Sequence, residues 1–120
     1  PISIKNEKIP IYGNGLNMRE WIYVEDSCKA IMSAILNGKS GHIYNVGSGK
    51  EITNIELVKK ILQLLAKPEE LINMVEDRKG HDFRYFLNSQ KTEKELSWKP
   101  TISFDYGIEK TINFYMKAYT

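Results

Sequence analysis

Short apolar runs alternate with turn residues along this chain, and longer stretches of helical spacing lie between them. Ile9 to Tyr12 is apolar and runs into Gly13-Asn14-Gly15, the pattern of a strand entering a turn. Glu25 and Asp26 precede Cys28, Ile31, Met32, Ile35 and Leu36, whose three-and-four spacing predicts a helix with one apolar face, stopped by Asn37-Gly38. His42 to Val46 reads as a second strand and Gly47-Ser48-Gly49 as the loop after it. Thr53-Asn54-Ile55-Glu56 is a capping box opening a helix with Leu57, Ile61, Leu64 and Leu65 inward, closed by Pro68. Leu71 to Val75 predicts a strand, Tyr85 to Leu87 a short one, and Ser89 to Leu96 a polar helix ended by Trp98-Lys99-Pro100. From a Ser103 cap, Phe104, Ile108, Ile112, Tyr115 and Met116 keep helical spacing again. Short strands with about four helices, and no repeat, low-complexity tract or linker, predict an α/β fold in one domain over residues 1–120.

Composition narrows the function. At 42% hydrophobic and 27% charged residues the chain is ordinary globular material, and no run approaches the roughly 18 apolar residues of a membrane helix. The expectation is a soluble protein without a membrane partner. Seventeen Lys+Arg against fifteen Asp+Glu leave a net charge of +2, with the basic residues scattered rather than striped, so nucleic acid is not the expected partner either. Any anion bound is expected to be small. One cysteine, Cys28, excludes an internal disulfide and a multi-cysteine metal site and favours a reducing, cytoplasmic setting. Pro1 is not an initiator methionine and no secretion signal follows it, so the chain reads as a fragment of something longer.

Two loops concentrate the candidate chemistry. Tyr12 to Asp26 and Glu76 to Asp82 each set an arginine in a glycine-containing loop, Arg19 in one and Arg78 in the other. A guanidinium is a planar, permanently charged fork that matches phosphate oxygens, and glycine lets backbone N–H groups approach the same anion. The pair suggests a diphosphate clamp, against the plainer reading of surface ion pairs with Glu20, Glu25 or Asp82. Gly47-Ser48-Gly49-Lys50-Glu51-Ile52 mimics part of a dinucleotide fingerprint, but Ile52 stands where the third glycine belongs. Tyr106 and Lys110 have the spacing of a dehydrogenase Tyr-Lys pair, yet no glycine-rich nucleotide loop lies upstream, so packing on the last helix is the reading. His42 and His81 lack metal-site partners, and no metal is expected. His42 reads as a strand-surface residue, His81 as either a loop residue or a ligand contact, and Cys28 as core. Trp21 and Tyr23 read as packing residues that hold the first loop.

Four segments together resemble one family. IPIYGNGLNMREWIYVEDSCKAI, HIYNVGSGKEITNIELVKKIL, VEDRKGHDFRY and ELSWKPTISFDYGIEKTINFY are similar, in that order and over almost the whole chain, to the dTDP-glucose 4,6-dehydratases of the extended short-chain dehydrogenase/reductase superfamily. The resemblance maps onto their C-terminal, substrate-binding portion. It implies that Pro10, Ile11 and Tyr12 lie along the nucleotide base and that Arg19 contacts the diphosphate. Asn54 and the segment Asp77, Arg78, Lys79, Gly80 and His81 then complete the pocket for a dTDP-sugar; Asn54 can equally serve only the helix start. It further implies a lyase that converts dTDP-glucose to dTDP-4-keto-6-deoxyglucose, with NAD held by an N-terminal Rossmann domain and a homodimer as the working form. The catalytic residues and the cofactor loop of such enzymes belong to that Rossmann domain, so the expectation here is a chain with no catalytic residue and no cofactor of its own, silent when alone. Within the superfamily the alternatives are an epimerase or a UDP-glucuronate decarboxylase; outside it, a non-catalytic nucleotide-sugar-binding module.

The departures from the family pattern are few. Glu20 replaces an aspartate in the Arg-Asp-Trp triplet, Lys79 a proline, Asn88 an aspartate and Ser27 a histidine. None removes an arginine, and Lys79 adds a cation.

Overall fold

The computed structural model describes residues 5–119. Along the chain run β1 (Ile9–Tyr12), β2 (Met18–Glu20), α1 (Val24–Asn37), β3 (Glu51–Thr53), α2 (Asn54–Leu64), a 3-10 turn (Glu69–Leu71), β4 (Ile72–Val75), α3 (Gln90–Leu96) and α4 (Phe104–Tyr119). Few strands and four helices bear out the α/β expectation. The residues sort into two compact units. One gathers the chain up to Arg19, Ile52–Tyr85 and the part from Ile108 onward; the other holds Glu20–Glu51 and Phe86–Gly107.

In the first unit β1 pairs with β4 in parallel, Ile9 opposite Ile72 and Tyr12 opposite Val75. Parallel strands need a long connection, and α2 lies within it. The unit's buried apolar side chains are Ile11 (4% exposed), Ile52 (8%) and Leu62 (0%). The capping box is present as the sequence predicts: Thr53 Oγ1 accepts from the Glu56 N–H at 3.2 Å, and Glu56 Oε2 accepts from the Thr53 N–H at 2.9 Å. The far end of α2 closes as a Schellman motif. The Lys67 N–H reaches the Leu62 carbonyl at 2.9 Å and the Ala66 N–H reaches Gln63 at 3.1 Å, with Ala66 in the left-handed region at φ 51°. Leu64, expected inward, is 39% exposed, and Leu62 takes the buried place. β2 pairs with β3 in a second two-stranded ladder.

The second unit packs Ala30, Leu96 and Trp98 together, with Ile22, Ala34, Tyr44 and Val46 around them. In α1 the face turned to this core is not the one the apolar spacing predicts. The stripe taken as its inward face is outward: Ile31, Met32, Ile35 and Leu36 are 55–72% exposed, and Cys28 is exposed rather than core. The buried face carries Asp26 and Ala30 instead. Two alanines leave room for the Trp98 indole, whose Nε1 donates to the Asp26 carbonyl at 3.1 Å. The Asp26 carboxylate accepts from the N–H groups of Thr101 and Ile102, at 2.9 and 2.8 Å, and from the Thr101 hydroxyl at 2.9 Å. Hydrogen bonding thus outweighs apolar spacing in choosing the face.

Two expected strands are not formed. Residues 42–46 belong to no ladder, and two of their carbonyls serve side chains instead: Ile43 accepts from Lys91 Nζ at 3.0 Å and Asn45 from Thr92 Oγ1. Tyr85 to Leu87 is also irregular, with only a bridge between Met18 and Arg84 beside it. Ser89 is the cap position of α3, and the residue before it, Asn88, turns the chain into the helix, its Oδ1 accepting from the Gln90 N–H at 3.0 Å. Ser103 likewise caps α4 through Tyr106 N–H.

Candidate functional site

All ten residues singled out for a nucleotide-sugar pocket lie in the first unit. β1 delivers Pro10, Ile11 and Tyr12 to the turn at Gly13; β4, lying parallel, delivers Asp77 to His81 to the same end. The turn at Gly13 and the Arg78 loop are therefore neighbours because the two strands point the same way; Arg19, expected in the first loop, lies beyond it in β2. Gly13 is required between them: its φ is +59°, and a Cβ there would stand 2.9 Å from Asp77 Oδ2. Ile11 faces the core, leaving only its backbone for a ligand, while Tyr12 is 44% exposed.

The second loop is a compact turn. The His81 N–H donates to the Arg78 carbonyl at 3.1 Å, with Gly80 at φ +70° in the third position, where a type II turn needs positive φ. Lys79 sits exposed at the tip. Asp77 Oδ1 accepts from the Arg78 N–H at 2.9 Å and lies 2.7 Å from His81 Nδ1. The contact with His81, more than any other, holds the Asp77 carboxyl below its ordinary value.

The two guanidinium groups are set differently. Arg19 Nη1 donates to the carbonyls of Met18 and Phe83 at 2.7 and 3.3 Å. Its Nη2 donates to the Asp82 carbonyl at 2.8 Å and lies 3.4 Å from His81 Nε2, while its carbon sits 4.5 Å from the centre of the Tyr85 ring. Arg78 is exposed, its guanidinium 5.1 Å from the centre of the Tyr12 ring. Tyr12 meets His81 edge-on, 6.1 Å between centroids. The chain of contacts Arg78, Tyr12, His81, Arg19 puts both cations on one cluster. Both act on the Tyr85 phenol, which donates to Asp82 and is pushed up chiefly by that bond, the two arginine charges opposing.

Asn54 is brought close at second hand. Its N–H donates to the Asn17 carbonyl at 3.0 Å, and Asn17 Nδ2 donates to the Asp82 carbonyl at 3.2 Å. Thr53, not Asn54, is the helix cap. Asn17, 4% exposed, and Tyr85 are members of the cluster that spacing alone did not mark, since neither belongs to a charge or glycine pattern.

Two other motifs of the sequence lie away from this cluster. The Gly47-Ser48-Gly49 loop encloses the chain's own Glu20, whose carboxylate accepts from the N–H groups of Gly49 at 2.8 Å and Leu87 at 2.7 Å. A Cβ on Gly47 would stand 2.8 Å from it. The residues of this loop consequently do not fit a dinucleotide phosphate. Tyr106 lies on α4 and is 51% exposed. Among the described residues no cluster of His, Cys, Asp and Glu could hold a metal ion, and no helix is long and apolar enough to cross a membrane.

Known proteins share this chain's sequence and shape. The low-salt glycan biosynthesis protein Agl12 of Haloferax volcanii is 46% identical over 110 residues, covering 92% of this chain and 35% of that protein. The crystal structure of DesIV, a dTDP-glucose 4,6-dehydratase from Streptomyces venezuelae with NAD and TYD bound, superposes with TM-score 0.91 at 38% identity, covering 98% of this chain and 38% of that one. The UDP-glucose 4-epimerase of Thermotoga maritima, solved with UDP-glucose, superposes at 0.92 with 25% identity, covering 99% and 38%. This chain thus spans little more than a third of the proteins it matches. The family model for GDP-mannose 4,6 dehydratase matches residues 1–111. The chain accordingly belongs to the GDP-mannose 4,6-dehydratase family, as a dTDP-glucose 4,6-dehydratase-like portion of an extended short-chain dehydrogenase/reductase.

Proposed function

We propose that this chain is the nucleotide-sugar-binding portion of an NAD-dependent dTDP-glucose 4,6-dehydratase, and that Arg19 and Arg78 hold the diphosphate of a dTDP-sugar. The observation that carries the reading is the continuous set of contacts from Arg78 through Tyr12 and His81 to Arg19, which leaves two cations at one end of one parallel strand pair. Arg19, Arg78 and the exposed Lys79 supply the charge, and Tyr12 supplies a ring beside the base. Asn54 and Gly80 complete the loop walls. NAD and the hydride chemistry belong to the Rossmann domain of the whole enzyme, which works as a cytoplasmic homodimer; the 120 residues alone are silent. The exposed stripe of α1 is the surface that meets that domain.

The test is kinetic. Arg78→Ala in the full-length enzyme raises KM for dTDP-glucose about tenfold or more, since a charge-assisted hydrogen bond to phosphate is worth about 1.5–3 kcal/mol. Unchanged KM rejects the clamp. An epimerase is the second reading, favoured by the TM-score of 0.92 to the Thermotoga maritima enzyme. Turnover of the full-length protein on dTDP-glucose, UDP-glucose and UDP-glucuronate separates the two and also exposes a decarboxylase. Failure on all three, with dTDP still bound, leaves the non-catalytic module.

A further inference from the structure

We propose that His81 is a positioning residue that orients the Arg19 guanidinium through Nε2 while Asp77 fixes the imidazole through Nδ1, so that the fork facing the ligand is aimed by a neutral relay. Its purpose rests on the nucleotide-sugar reading above; its geometry does not. The His81 side chain is 5% exposed, too enclosed to be a free surface imidazole. Arg19 Nη2 stands 3.4 Å from Nε2, and a guanidinium has hydrogens to give but no lone pair to offer, so Nε2 carries the lone pair. The proton is then on Nδ1, donated to Asp77 Oδ1 at 2.7 Å. Asp77 is itself fixed by the Arg78 N–H on Oδ1.

The partners of Arg19 are alike in one respect. The carbonyls of Met18, Asp82 and Phe83 and the imidazole nitrogen are all uncharged acceptors. A carboxylate in the place of His81 would orient the fork equally well but would cancel its charge, and phosphate would then meet an ion pair rather than a cation. The nearest carboxylates are turned to other tasks: Asp77 to His81 and Arg78, Asp82 to the Tyr85 hydroxyl. Histidine in its Nδ1–H form fixes direction and preserves charge together.

The test uses this chain labelled with ¹⁵N, in which only two imidazoles report, His42 being identified by a His42→Gln variant. Long-range ¹H–¹⁵N correlation is expected to give His81 a protonated Nδ1 and a bare Nε2, with separate, slowly rotating Nη signals for Arg19. In His81→Gln the amide oxygen can replace Nε2, and those Arg19 signals persist; in His81→Asn, which keeps only the Asp77 side, they collapse. Calorimetry with thymidine diphosphate should follow, the Gln variant within about threefold of the parent and the Asn variant about tenfold weaker. A proton on Nε2, or equal losses in the two variants, overturns the relay. If the parent takes up no thymidine diphosphate, the nucleotide reading fails and the relay is judged on the imidazole and arginine signals, which also decide it should either variant not fold.

Discussion

At the scale of single residues, the two arginines divide into a bracket and a free fork. Arg19 ties β2 to the segment 82–83 by two carbonyls, those of Asp82 and Phe83, whereas Arg78 rests on the face of Tyr12. Arg19→Ala should therefore lower the melting temperature by several degrees as well as weaken dTDP binding, and Arg78→Ala should weaken binding with the melting temperature within about a degree of the parent, as expected of an exposed side chain. Thermal denaturation beside calorimetry checks the contrast, and equal melting points contradict it. Asp26 makes the second prediction. Burial drives its carboxyl up, but the N–H of Ile102 with the hydroxyl and N–H of Thr101 outweigh that and hold it below its ordinary value. A depressed folded-state value adds stability that is full above the unfolded value of about 3.9 and fades as pH falls through the folded one. The parent should lose stability on acidification below about pH 4, and Asp26→Asn should flatten that dependence at a cost on the order of 3 kcal/mol at neutral pH, read by urea titration at several pH values. The arginines and His81 were legible in the sequence because charge and glycine mark them. Asp26 was not: an acid in the first turn of a helix reads as a dipole partner, and nothing local says that Thr101, seventy-five residues on, will close over it.

Among the elements, those with their determinants nearby were readable. Thr53 and Glu56 are three residues apart, and their reciprocal bonds set the start of α2 as the sequence predicts. Its end was less legible, since Ala66 is an unexpected occupant of a left-handed position. Ala66→Gly relieves a strain of about 1 kcal/mol and should raise the melting temperature by a few degrees, the reverse of the usual loss on placing glycine in a helix. A fall in melting temperature would remove Ala66 from the list of strained sites. Residues 42–46 and 85–87 failed as strands for a non-local reason: strand-like composition needs a neighbouring backbone, and here their neighbours are the side chains and loops around α3 and β2.

At the scale of the molecule, the misread face of α1 matters most. Periodicity identified the helix, but it could not say which side meets the Trp98 core, because two small alanines carry that contact and the larger side chains face outward. Such a stripe on an isolated chain should drive self-association at high concentration. The double change Ile31→Glu, Ile35→Glu is expected to leave stability within about 1 kcal/mol and to bring the sedimentation coefficient to that of a monomer; a parent already monomeric at millimolar concentration denies the stripe any such part. Ile43 to Val46 is bare in another sense, since none of its amides donates to a main-chain carbonyl among the described residues. Deuterium should enter there within seconds while the amide of Leu62, buried on α2, resists for far longer, and Ile43, 80% exposed, marks the edge along which a second polypeptide could splice itself in.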